Sequence, residues 1–156
     1  MAILGKQIEV DTRNDVLYFV RNLQDFEKDK AIRSGLASAA TVFKTGGRAR
    51  LRKRILDRPH TKSGKNTGNL LNSMTSFVYR IRPGAAVGFR RGENGGNHAH
   101  LVDLGTKPRR HPLTGTSGIM PANKFWTDTS EQDSPKAYNK LSQGVQRAVD
   151  RINNRR

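Results

Sequence analysis

The stretch Phe77–Phe89, FVYRIRPGAAVGF, decides the fold. Phe77, Tyr79 and Ile81 alternate with Val78 and Arg80, and Val87 and Phe89 alternate on the far side of Pro83-Gly84. Alternation of period two marks a half-buried strand. Pro-Gly puts a proline at the first central position of a turn and a glycine where φ must be positive. The stretch therefore predicts a β-hairpin.

Downstream, RRGENGGN (Arg90–Asn97) has three glycines and no apolar residue, and reads as a flexible loop. His98–Leu104 reads as a third strand closed by Gly105. Residues 106–118, TKPRRHPLTGTSG, form a long second loop with no core residue, followed by the short apolar segment IMPANKFW. Ser134 is placed to cap a last helix, with Pro135 at its first position, where a missing N–H costs nothing. In that helix Tyr138, Leu141, Val145, Ala148, Val149 and Ile152 make an apolar stripe, with Lys140, Gln143, Arg147 and Asp150 opposite.

Upstream, Ile8 and Val10 alternate with polar neighbours and suggest a short opening strand. Thr12 or Asn14 can cap a helix whose face is Val16, Phe19, Val20, Leu23 and Phe26. A second face, Ile32, Leu36, Ala39, Ala40 and Phe43, is about half a turn out of phase with the first. The spacing predicts a break near Glu27–Lys30 and a second helix ending before Gly46-Gly47, with a continuation through Arg48–Leu56. DRPHTKSGKN (57–66) is a polar loop, and Thr67 can cap a turn running through Leu70-Leu71 to Met74. The chain shows no internal repeat. The reading is one α+β domain over residues 1–156, with N-terminal helices and a C-terminal helix packed on a small antiparallel sheet and flexible loops near 90–97 and 106–118.

Composition narrows the function. The 156 residues carry 29 Lys+Arg against 13 Asp+Glu, a formal charge of +16. Such a surface attracts phosphate backbones or acidic proteins. There are no cysteines, so disulfides, thiol nucleophiles and Cys-ligated zinc are excluded. No apolar run reaches the roughly 18 residues of a membrane span. The N-terminal MAILGKQIEV does not read as a signal peptide.

The charge is concentrated. Residues 44–65 hold nine Lys/Arg and one acid, Asp57. Arg48, Arg50, Arg52, Lys53 and Arg54 are candidates for phosphate or partner contacts, with Arg90, Arg91, Lys107, Arg109 and Arg110 from the two loops. On a helix Arg50 and Arg54 share a face and Arg52 lies on the other side. Aromatic residues are absent from 44–76, so any nucleic-acid contact is expected to be independent of sequence. A solvated face or an acidic protein partner explains the same residues equally well.

Catalytic patterns are weak. Gly64-Lys65 lacks the upstream glycine and following hydroxyl of a phosphate loop. There is no GxSxG and no HExxH. His98 and His100 on a strand would share a face about 6–7 Å apart, but Asp103 would point away, and His60 and His111 lie in loops. A zinc site needs a third and usually a fourth ligand. The expectation is no catalytic residues, no metal and no cofactor.

Three blocks carry a family resemblance. Thr67-Gly68-Asn69-Leu70 with Ser73-Met74 resembles the "TG-x-L-x-x-S-I" segment of phage head–tail joining and tail-completion proteins. His98–Thr106, with Val102, Asp103, Gly105 and Thr106, is similar to that family's "Y-A-x-x-V-E-x-G-T" strand. Pro121-Ala122-Asn123-Lys124-Phe125-Trp126 resembles its "P-A-x-P-F-L". The blocks occur in the family's order. Histidines replace the usual aromatic near 98 and 100, Lys124 replaces a proline, Trp126 a leucine, and the insertion at 107–118 is longer.

The resemblance implies a non-enzymatic structural virion protein, assembled in the host cytoplasm into the neck of a tailed phage. It implies a ring of itself, a hexamer or dodecamer, between the head connector and the tail tube or tail terminator, with double-stranded DNA passing through and no membrane partner. HAHLVDLGT would then be a core strand with Val102 inward. Asp103 would accept hydrogen bonds from a backbone turn or pair with an arginine. Leu51, Leu101 and Trp126 are the expected buried or interface anchors. The alternative is a basic protein that binds nucleic acid without sequence preference.

Overall fold

A computed structural model describes residues 3–4, 7–8, 25–56, 68–92, 95–108, 110–111, 113, 115–116 and 118–154. The expected helical face from Val16 to Leu23 with its caps, Val10, loop 57–66 and Thr67 lie outside these residues.

The longest element is helix α1, Asp25–Leu56, 32 residues without interruption. The break expected at Glu27–Lys30 and the stop expected before Gly46-Gly47 are both absent. A mid-helix glycine costs about 1 kcal/mol relative to alanine, and here the neighbours explain the pair. A Cβ on Gly46 would lie 1.9 Å from Asp133 Oδ2, and one on Gly47 would lie 3.2 Å from Met74 Cε and Trp126 Cζ3. These glycines admit other elements to the helix surface; they do not end it.

Helix α5, Ser134–Asn153, lies along the first half of α1. Its expected stripe is the face that packs: Leu141, Val145 and Val149 are buried, with Tyr138, Ala148 and Ile152 at the margin. They meet Ala31, Leu36, Ala39, Ala40 and Phe43 of α1. The helices approach closely at Gly35 and Gly144. A Cβ on Gly144 would lie 2.8 Å from Gly35 Cα, and one on Gly35 would lie 2.6 Å from Val145 Cγ2. Asp133, not Ser134, occupies the N-cap position, and the Ser134 hydroxyl donates to Ser130 O (2.5 Å).

The hairpin is present. β3, Met74–Val78, pairs antiparallel with β4, Ala85–Arg90. Its turn is wider than two residues: Tyr79 N–H donates to Gly84 O (2.9 Å), and Ile81 is fully exposed at the tip. β4 is the central strand, buried from Ala85 to Phe89. On its other side lie β1, Ile3–Leu4, and β2, Gln7–Ile8, which pair with it in one shared register. Ile8 is thus in a strand, as its alternation suggests.

The third strand expected over His98–Leu104 is a helix, α3, Ala99–Leu104. Ala99, Val102 and Asp103 fall at i, i+3 and i+4, which a helix turns to one side. Gly105 ends it with φ 78° and donates its N–H to Leu101 O (2.9 Å). The short apolar run satisfies both periods, and the glycine cap decides between them.

A second core lies where α2 (Asn69–Ser73), β3, β4, α3 and α4 (Phe125–Gln132) meet the end of α1. It holds Leu51, Leu70, Met74, Phe89, Ala99 and Phe125. Phe89 meets Phe125 and Trp126 edge to face, at centroid distances of 5.8 and 5.9 Å. Trp126 touches both cores. The chain is an α+β fold with helices packed on a small antiparallel sheet.

Candidate interaction surfaces

Asp103 organises the segment around it. It is buried, with 6% exposure. Its Oδ1 accepts from the N–H groups of Trp126 (2.6 Å) and Thr127 (3.2 Å), and its Oδ2 accepts from the Thr127 hydroxyl (2.7 Å). Those amides open helix α4. The residue before α4, Lys124, sits in the left-handed region at φ 55° and gives no side-chain cap. A carboxylate from α3 therefore does the capping from a distance, where the helix dipole also favours negative charge. Asn123 N–H to Val102 O (2.9 Å) and Lys124 N–H to Asp103 O (2.8 Å) fasten the same joint. The expectation that Asp103 takes backbone hydrogen bonds holds; the strand around it does not.

The far side of α4 is held by arginines of α1. Arg50 grips the Asp133 carboxylate with both nitrogens, at 2.6 and 3.0 Å. It also reaches Gln132 Oε1 (3.1 Å) and Thr129 Oγ1 (3.3 Å). The hydrogen bond to Asp133 raises the Arg50 pKa above its ordinary value against the opposing effect of burial, helped by the charges of Asp133 and Asp128. Arg54 donates to Asn123 O (2.5 Å) and pairs with Asp128.

This divides the basic candidates. Arg50 and Arg54 are structural tethers, so they do not face a partner. The cause is their shared helical face, opposite which Asp128 and Asp133 arrive. Arg52 and Lys53 are exposed and Arg48 is half-buried. None of these three makes an ion pair among the described residues. Arg90 and Arg91 are exposed at the end of β4, and Lys107 at the base of the second loop. Arg109 lies outside the described residues, and Arg110 lies in strand β5.

The two expected loops have internal structure. In the described part of 90–97, Gly96 N–H donates to Arg90 O (2.7 Å), Gly95 N–H to Gly92 O (3.0 Å), and the Asn97 amide to Gly92 O (3.1 Å). The segment 106–118 contains a two-stranded arm, β5 (Arg110–His111) paired with β6 (Gly115–Thr116). Its base is closed by Thr106 N–H to Met120 O (2.9 Å) and Met120 N–H to Thr106 Oγ1 (3.0 Å). Gly105 is obligatory there: beyond its positive φ, a Cβ would lie 2.8 Å from Ala122 N and Met120 O. Leu113 near the arm's tip is 90% exposed, and Leu104 and Ile119 near its base are exposed.

The remaining motif residues are placed as follows. Leu70 and Phe125 are buried in the second core and Val102 packs against it. Gly68 precedes α2 at φ 71°, and Pro121 is exposed. Of the expected anchors Leu51 is fully buried, while Leu101 and Trp126 are half-buried.

His98 and His100 are exposed; His98 precedes α3 and His100 lies in it, so they do not share a strand face as expected. Among the described residues no three His or acidic side chains gather as a metal site. An open cleft of about 490 Å³ has Arg91, Gly96, Asn97 and His100 as its lining among the described residues. No helix among the described residues is long and apolar enough to cross a membrane. No known family, no curated protein and no solved structure matches this chain.

Proposed function

We propose that the protein is a structural component of a tailed phage virion, a ring in the neck that joins the head connector to the tail and lets DNA pass. One observation carries this reading. The three sequence blocks that resemble head–tail joining proteins are separated in the chain but converge on the second core. Leu70 and Met74 come from the first block, Ala99 and Val102 from the second, and Phe125 and Trp126 from the third. Asp103 of the second block caps the helix that begins in the third. The convergence supports the reading because motif residues of one family are expected to build one packing unit.

The mechanism is geometric. A body fixed by two cores and the α4 tethers sets the shape of a subunit. The β5–β6 arm, whose strands pair only with each other among the described residues, reaches from a closed base toward neighbouring subunits or the adjoining head and tail proteins. An isolated two-stranded hairpin is at best marginally stable in water, so a partner surface suits it.

Disrupting the gene tests this. The expected result is DNA-filled heads and finished tails that fail to join, restored by supplying the protein. Joined, infectious particles without it would overturn the reading. A second reading, nucleic-acid binding without sequence preference as the main role, is favoured by the acid-free run of α1 from Lys30 to Leu56. It predicts normal particles in the same experiment.

A further inference from the structure

We propose that the outward face of α1 is a contact surface for the phosphate backbone of duplex DNA, centred on Lys44, Arg48 and Arg52 with Lys53 at its flank. This goes beyond the neck reading and does not depend on it.

The argument starts from which charges are already used. Between Lys30 and Leu56 the helix has eight Lys/Arg and no acid. Arg50 is taken by Asp133, Arg54 by Asp128, and Arg33 by Asp29 and the Arg80 carbonyl. Lys30, Lys44, Arg48, Arg52 and Lys53 have no ion-pair partner among the described residues, and Lys30 stands apart, fourteen residues before Lys44. Lys44, Arg48 and Arg52 follow one another at four-residue steps. Each step advances about 6 Å along the helix and turns it only about 40°, so the three cations form a single ridge.

The surroundings choose the partner. The exposed residues beside the ridge are Ala37, Thr41, Thr45 and Ala49. Two of their hydroxyls are turned back onto the helix, Thr41 to Ala37 O (2.9 Å) and Thr45 to Thr41 O (2.8 Å). Among the described exposed residues beside the ridge none is apolar and larger than alanine, and Ile55, three residues past Arg52, packs on the second core. A protein hot spot sets its arginines among aromatic or apolar anchors in a dry pocket, and the described residues of this face supply cations without such anchors. A phosphate backbone needs regularly spaced cations on a surface it can approach closely, and gains its affinity by releasing counterions. The arm is the contrast: it is basic in sequence but carries exposed Leu113, which suits a protein surface better.

The test measures binding of the full chain to a fluorescent mixed-sequence duplex as salt is varied. The triple variant K44Q/R48Q/R52Q is compared with K136Q/K140Q/R147Q, which removes the same charge from exposed positions of α5. Both sets are exposed or half-exposed and should leave the thermal melt unchanged. The expected result is that the α1 variant lowers the slope of log affinity against log salt by about 3, one unit for each phosphate no longer neutralised, while the α5 variant leaves it nearly unchanged. Equal changes in both variants would overturn the proposal in favour of diffuse attraction by net charge. An unchanged DNA slope with abolished binding to poly-glutamate would overturn it in favour of an acidic protein. Absence of duplex binding by the unaltered chain at low salt would overturn it outright.

Discussion

The two halves of α1 are held by different means. The first half lies against α5 through Gly35, Ala31, Ala39 and Ala40, where the backbones come together because side chains are missing. The second half buries Leu51 in one core with Phe125 of α4, and two long arginines clamp its edge, Arg54 to Asp128 of α4 and Arg50 to Asp133 at the junction of α4 and α5. Small residues fix a distance and tolerate nothing larger. Arginines span a gap and fix an orientation through a planar fork. The comparison teaches that one helix can carry a close-packed small-residue seam and a charged clamp in succession, and that only the first writes an apolar period into the sequence.

The largest expected effect breaks the seam. In Gly144→Leu the new side chain would start 2.8 Å from Gly35 Cα. Neither backbone can yield without moving a helix, so the loss should be about 3 kcal/mol or more, read as a fall in melting temperature. An unchanged melt would show that the helices are not packed this closely.

Next comes the tether. Arg50→Met should cost about 2 kcal/mol, between the value of an exposed pair and that of a buried one, since both partners are mostly but not wholly covered. Arg50→Lys should recover less than half of the loss, because an ammonium cannot serve Asp133, Gln132 and Thr129 together. A double-mutant cycle with Asp133→Asn measures the coupling. Coupling near zero would reduce the tether to a surface contact.

Asp103→Ala should cost about 1 kcal/mol, and hydrogen exchange should quicken at the Trp126 and Thr127 amides before it quickens in α5. Uniform quickening across both helices would contradict a local cap. The smallest effect belongs to the arm: Leu113→Ser should stay within about 0.5 kcal/mol of the unaltered protein, because the side chain is already exposed. A clear loss of stability would mean that the arm packs on its own subunit.

The same contrast explains what was legible in the sequence. The α5 stripe and the apolar face of α1 were readable because burial against one neighbour leaves a period of 3.6. The Phe77–Phe89 hairpin is present although its burial does not alternate, since Ala85–Phe89 is buried throughout and Phe77 and Ile81 are exposed. Gly46-Gly47 misled because a glycine pair signals a stop, and only the positions of Asp133, Met74 and Trp126 show why it is tolerated mid-helix. His98–Leu104 misled because so short a run is too brief to separate the two periods. Helix α4 was missed altogether. It has little apolar pattern, and its cap, Asp103, lies far upstream in the chain. Of the basic candidates, Arg52 and Lys53 are exposed as the sequence suggested. Arg50 and Arg54 were the ones whose shared face could have been matched to the acids of DTSEQD (128–133), had a helix been expected there.

The measurement that tests the proposed function most directly is cryo-electron microscopy of any virus particles that the genome encoding this chain produces. The account predicts a closed ring of this chain at the joint between head and tail, built from subunits in which Asp103 caps α4 and Arg50 grips Asp133. A head–tail joint fully occupied by other chains, with none of this protein in the particle, would contradict it.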